Sequence, residues 1–159
     1  MKKNCLGFTL IELLIIITII TLLISLGMAQ YNQFNRRQIL TKAKDELVSN
    51  LRLAQNKAMA AEKPEDCLDD ELEGIRLEFI NNQSYQIVAV CNCGLGCPAV
   101  KEMVNLPSIV SKKSGPTEVF FKVLNRGVRL TPVSAPIVLE LDGSGETQSV
   151  NVTDAGEIK

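Results

Sequence analysis

The chain has 159 residues, with 17 Lys and Arg against 18 Asp and Glu, a net charge of −1, and no His. That balance gives no broad electrostatic argument for nucleic acid as a partner. The absence of His removes the commonest general base and metal ligand, which argues against an ordinary hydrolase. The length allows one membrane helix and one domain of about 100 residues with a single core.

The chain opens on a short basic leader, Met1-Lys2-Lys3-Asn4-Cys5-Leu6-Gly7. From Leu13 to Asn35 there is no charged residue, and residues 13–24 are Leu and Ile broken only by Thr18 and Thr21. A run of this kind predicts a helix that spans a bilayer. Glu12 sits in its first turn, and a carboxylate in such a helix is costly to bury without a partner. An ordinary secretory signal places its apolar region before a small-residue cleavage site. Here the small residue, Gly7, comes first, so cleavage there leaves the helix on the mature chain. A plain signal anchor with an incidental Glu is the alternative.

Beyond Tyr31 the chain turns polar but stays helix-compatible to Lys63. Leu40, Ala43, Leu47, Leu51, Ala54, Ala58 and Ala61 follow spacings of three and four, one face of an amphipathic helix. Pro64 ends the pattern. Arg36, Arg37, Lys42 and Lys44 form a basic cluster that reads first as a solvated face. The acidic connection 65–73 is oxygen-rich, but it lacks the spacing and central Gly of a calcium loop. It reads as solvated.

The remainder predicts strands. Gly74–Ile80 and Ser84–Cys91 form a hairpin around Asn81-Asn82-Gln83. Ala99–Leu106 is a third strand, Ser111–Pro116 a loop, Glu118–Leu124 a further strand and Asn125-Arg126-Gly127 a turn. Ile137–Leu141 and Gln148–Val152 flank the turn 142–146, and Asp154-Ala155-Gly156 turns before the end.

Apart from Cys5 in the leader there are four cysteines, Cys67, Cys91, Cys93 and Cys97. Four allow three disulfide connectivities. The C-x-C-x-x-x-C spacing is not that of a zinc ribbon, so two disulfides in an exported domain are the better reading. Cys93 with Cys97 and Cys67 with Cys91 is one such pairing. No metal and no cofactor is expected.

Gly7-Phe8-Thr9-Leu10-Ile11-Glu12-Leu13 closely resembles the signal of type IV pilins and type II secretion pseudopilins. The segments Leu51–Ala58, Phe120 to Gly127 and Ile137 to Gly156 add a resemblance to the GspH/FimT group of minor members. The resemblance implies cleavage between Gly7 and Phe8 by a prepilin peptidase, N-methylation of Phe8, and an assembly role for Glu12. In a packed filament the Glu12 carboxylate can meet the Phe8 ammonium of a neighbouring subunit. The implied fold is α+β: a leader (1–7), a transmembrane and filament-core helix (8–30), an amphipathic extension (31–63) and a mainly antiparallel β head (64–159). The implied function is a non-enzymatic structural subunit of a type IV pilus or type II secretion pseudopilus. It would be held single-pass in the inner membrane, its head extracytoplasmic, before assembly. The partners are other pilin or pseudopilin subunits, the prepilin peptidase, an assembly ATPase and a platform protein. A DNA-binding competence pilin is the runner-up, but Glu157 stands where a basic residue is wanted, so DNA is not expected. A signal-anchored exported enzyme is the weakest reading.

Overall fold

A computed structural model describes residues 9–67, 71–92, 101–125, 127–132 and 135–159, without the side chains of 25–29, 66, 101 and 125. The chain divides into two compact units, one up to Arg36 and one from Arg37. A single helix, α1 (Leu10–Met59), contributes to both.

In the first unit α1 starts at an N-cap. The Glu12 N–H donates to Thr9 Oγ1 (3.4 Å) and the Leu13 N–H to the Thr9 carbonyl (3.2 Å). The expectation of a membrane-spanning helix is corrected here. Among the described residues, no helix is long and apolar enough to cross a membrane. The fold class is α+β; among the described residues neither the expected transmembrane element nor the single-pass inner-membrane placement is supported.

The second unit is built on the amphipathic half of α1. Leu40, Ala43, Leu47, Leu51, Ala54 and Ala58 are all buried and enter one core with the strands. Ala61, expected on the same stripe, is exposed because the helix has already stopped. The stop is a Schellman turn: Glu62 N–H donates to the Lys57 carbonyl (3.0 Å) and Ala61 N–H to that of Ala58 (3.2 Å). Ala61 takes the left-handed conformation this motif needs, φ 47°. The turn, not Pro64, ends the helix.

Among the described residues eight strands follow, all paired antiparallel. β1 (Leu72–Asn81), β2 (Ser84–Cys91), β3 (Lys101–Asn105), β5 (Glu118–Lys122) and β6 (Val128–Thr131) make a five-stranded sheet in the order β3-β2-β1-β5-β6. β4 (Val110–Ser114), β7 (Ile137–Leu141) and β8 (Thr147–Val150) make a second sheet, β4-β7-β8. The Lys112 N–H donates to the Asn82 carbonyl (2.7 Å), tying β4 to the β1–β2 turn. On the five-stranded sheet Ile75, Leu77, Phe79, Tyr85, Ile87, Val119 and Phe121 face the helix core. The period of two places these alternate residues on one face.

The expected β1–β2 hairpin is present with its turn at 82–83. Two expectations are corrected. Residues 111–114 are not loop but strand: polar Ser111–Ser114 pairs with β7, and Lys113 meets Glu140 at 3.0 Å. The register and that cross-strand ion pair supply what the apolar pattern lacked. The strand that begins at Glu118 stops at Lys122, and β6, which no alternation announced, pairs back on it. After β8 the tail folds back on itself. Val152 bridges Ile158, and Asn151 and Lys159 exchange backbone hydrogen bonds.

Cys67 and Cys91 form a disulfide, Cα–Cα 6.2 Å, which fixes the connection after α1 to the end of β2. Cys93 and Cys97 lie outside the described residues, as does most of the expected tight turn at 91–98.

Candidate functional site

The strongest sequence signal lies at the beginning of α1. Gly7 and Phe8 are outside the described residues; Thr9 onward is described. Thr9-Leu10-Ile11-Glu12 has the Thr-x-x-Glu spacing of a capping box, with Thr9 at the cap and Glu12 at the third helical position. Thr9 Oγ1 accepts one of the four amide N–H groups that a helix start leaves without partners. The Glu12 carboxylate stands where the positive end of the helix dipole favours it. Thr9 carries this cap although no site role was expected for it; the Thr-x-x-Glu spacing was the readable signal.

The helix that follows has no cover of its own. All twelve Leu and Ile side chains from Leu10 to Ile24 are exposed, from 41% to 83%. The two hydroxyls in this stretch turn inward on the backbone. Thr18 Oγ1 donates to the Leu14 carbonyl (2.6 Å) and Thr21 Oγ1 to that of Ile17 (3.0 Å). Satisfied in this way, they present little polarity outward. The surface of residues 10–24 is therefore apolar on every side, with one carboxylate at its start. A continuous exposed surface of this kind marks an interaction site.

Among its described residues the head offers no comparable chemistry. Among the described residues no group of three or more His, Cys, Asp or Glu could hold a metal ion. Of the acidic connection, residues 68–70 are outside the described residues. Arg126 is also outside them. Arg129 lies over the Phe120 ring, 4.8 Å from its centroid, and Glu157 pairs with Lys159 at 2.7 Å. Half-buried Asn50 donates to the hydroxyl of buried Tyr85 and so joins α1 to β2.

Residues 2–28 match the family model for the prokaryotic N-terminal methylation motif. No curated protein and no solved structure gives a significant match to the chain. The match covers the leader and the first turns of α1, a small part of the 159 residues. The motif is that of the type IV pilin and pseudopilin superfamily and associates the chain, in general terms, with pilin-assembly machinery. A methylation motif, with no metal-holding group among the described residues, is consistent with a non-enzymatic structural protein. The membrane-inserted subunit expected from the sequence is not supported, for the reason given with the fold.

Proposed function

We propose that the chain is a pilin-like structural subunit that assembles with other subunits through the N-terminal part of α1. The observation that carries this reading is the pairing of a methylation motif at 2–28 with a helix whose Leu and Ile side chains from Leu10 to Ile24 are all exposed. At about 25 cal/mol per Å² of apolar surface, covering such a helix with like helices supplies a large driving force. Cleavage between Gly7 and Phe8 creates a new ammonium one residue before the Thr9 cap. Helix N-termini disfavour a cation, so that ammonium needs a carboxylate, and Glu12 of a neighbouring subunit offers one in the apolar interior. Among the pilin-like groups, the β-rich head and the segments 51–58, 120–127 and 137–156 favour a GspH/FimT-type minor subunit. Its partners in this reading are other pilin-like subunits, a prepilin peptidase and the assembly platform.

Two measurements test the reading. Mass spectrometry of the mature chain is expected to find methylated Phe8 as the first residue; an intact Met1 overturns it. The Glu12→Ala variant is expected to be processed normally and to fail in assembly. Normal incorporation of that variant removes the role given to Glu12.

A further inference from the structure

One side chain of the head is exposed and strained at once. The turn after β5, Val123–Asn125, puts Leu124 in the left-handed region, φ 53° and ψ 37°. A bulky L-residue is rare there, because its Cβ crowds the backbone. Leu124 is also 63% exposed, the most exposed large apolar side chain among the described residues of the head. Gly or Asn would suit both the backbone and the solvent better. The Schellman turn at the end of α1 accounts for the same conformation at Ala61; Leu124 ends no α-helix, so that account does not extend to it. The Lys122 N–H donates to the Gly127 carbonyl (3.1 Å), which closes the turn around Leu124. Strained backbone of this kind clusters at binding and switch sites.

A cleft of about 350 Å³ lies beside this turn, lined by Glu71, Leu72, Glu73, Asn92, Lys122 and Val123. Val123 precedes Leu124 in the chain, so the exposed side chain and the cleft are neighbours. Leu72 and Val123 are half-buried and give the cleft its apolar lining; Glu71, Glu73 and Lys122 are exposed and give it charge. Its walls are held in place. The Asn92 N–H donates to the Glu71 carbonyl (2.8 Å), Leu72 pairs with Cys91 across β1 and β2, and the Cys67–Cys91 disulfide ties down that end of the sheet. Among the described residues no ion pair joins Lys122 to Glu71 or Glu73, although all three line the one cleft. Charge of both signs is therefore left for a partner.

An apolar knob, an adjoining apolar cleft and unpaired charges of both signs make a surface complementary to itself. About a two-fold axis, Leu124 of each copy enters the cleft between Leu72 and Val123 of the other. The Lys122 ammonium of each copy then comes opposite Glu71 and Glu73 of the other. Because knob and cleft adjoin, one pair of copies fills both, and the contact closes rather than propagates. Entry of Leu124 takes an apolar side chain out of water. The closed turn already holds that residue in place, so little ordering is required.

We infer that this corner of the head, Leu124 with the cleft lined by Leu72 and Val123, is the contact through which two copies of the chain pair as a closed dimer. The pairing does not use the apolar part of α1 and does not rest on the proposed assembly.

Sedimentation of the full-length chain, in a detergent that covers residues 10–24, tests it with helix contacts suppressed. The unaltered chain is expected to sediment as a dimer in exchange with monomer. Leu124→Gly is expected to weaken the dimer about tenfold. Its thermal unfolding midpoint should stay the same or rise, because relief of the left-handed strain outweighs the entropy that glycine adds to the unfolded chain. A lowered midpoint would make Leu124 a residue of the fold and overturn its assignment to the contact. Lys122→Glu alone, or Glu71→Lys with Glu73→Lys, is expected to weaken the dimer too, and the three together to restore it, since opposite charges face each other again. The pairing is overturned by a chain that stays monomeric at every concentration, by Leu124→Gly dimerising as tightly as the unaltered chain, or by charge reversals that the combination does not restore. Each of these outcomes leaves the helix-mediated reading standing, because that association is measured separately, on removal of the detergent.

Discussion

Gln55 Nε2, on α1, donates to the carbonyl of Gly156 at 2.8 Å. The two residues are 101 positions apart, and this bond fixes the last turn of the chain to the helix on which the head is built. Gly156 adopts φ 87°, and a Cβ there would stand 2.8 Å from that same Nε2. Gly156→Ala therefore strains the backbone and displaces the donor together, and is expected to destabilise by about 2 kcal/mol. Gln55→Ala removes only the donor and is expected to cost about 1 kcal/mol. Because both act on one bond, the double variant should fall short of the sum. Urea unfolding of the four chains measures the coupling.

Tyr85 makes a second contact between α1 and the sheet. Its hydroxyl accepts a hydrogen bond from Asn50 Nδ2 at 2.8 Å, and its ring tilts against Phe79 with centroids 5.5 Å apart. Burial pushes the phenol up to about 12; the bond from Asn50 opposes the shift, and the charges of Glu46 and Glu102 add to it. The folded state thus holds its proton above the unfolded value of 10.0. Below pH 10 both states are protonated and this group adds no slope. Between pH 10 and about 12 the unfolded chain loses its proton first, so stability falls as pH rises. Tyr85→Phe is expected to lose about 1 kcal/mol at neutral pH, because Asn50 is left without its acceptor. The same variant should show a flatter decline in alkali. An equal alkaline slope in the two chains counts against the assignment.

Much of the head's framework was legible because pattern and packing agree. The stripe Leu40, Ala43, Leu47, Leu51, Ala54 and Ala58 repeats at helical spacing, and those are the residues the core buries. The β1–β2 hairpin alternates strongly around an Asn-Asn-Gln turn. The misses share a cause. β4 is polar apart from Val110, and β6 is short, so both are specified by neighbours brought from elsewhere in the chain. Arg76 and Arg129 gave no signal either, since their convergence on Glu118 exists only once β1, β5 and β6 are in register. At the N-terminus the motif was readable in full. The bilayer span inferred from the same residues was not supported: among the described residues no helix is long and apolar enough to cross a membrane.

The end of α1 illustrates a local signal read at the wrong residue. Pro64 is a strong breaker, but the chain reverses at Ala61, where φ is 47°. Left-handed backbone costs an alanine about 1 kcal/mol relative to glycine, and glycine is the usual residue at this position of a Schellman turn. Glycine's entropy in the unfolded chain offsets part of the gain. Ala61→Gly is therefore expected to stabilise the head by about 0.5 kcal/mol, read as a rise in the midpoint of thermal unfolding. Pro64→Ala should leave the helix end where it is, seen as unchanged helical circular dichroism.

Gly74 and Phe120 set the strictest local requirement on the sheet. A Cβ on Gly74 would lie 2.3 Å from the Phe121 carbonyl oxygen and 2.7 Å from the Phe120 ring. The first of these is backbone of the paired strand, so relief requires β1 and β5 to separate locally. Gly74→Ala is expected to cost about 3 kcal/mol. Removing the ring with Phe120→Leu opens space on one side only, so the double variant should recover part of that loss. It should not recover all of it, because the clash with the Phe121 carbonyl persists. The same variants move the guanidinium of Arg129, whose support is the Phe120 ring. Full recovery of stability in the double variant would place the constraint in the ring rather than in the strand pairing.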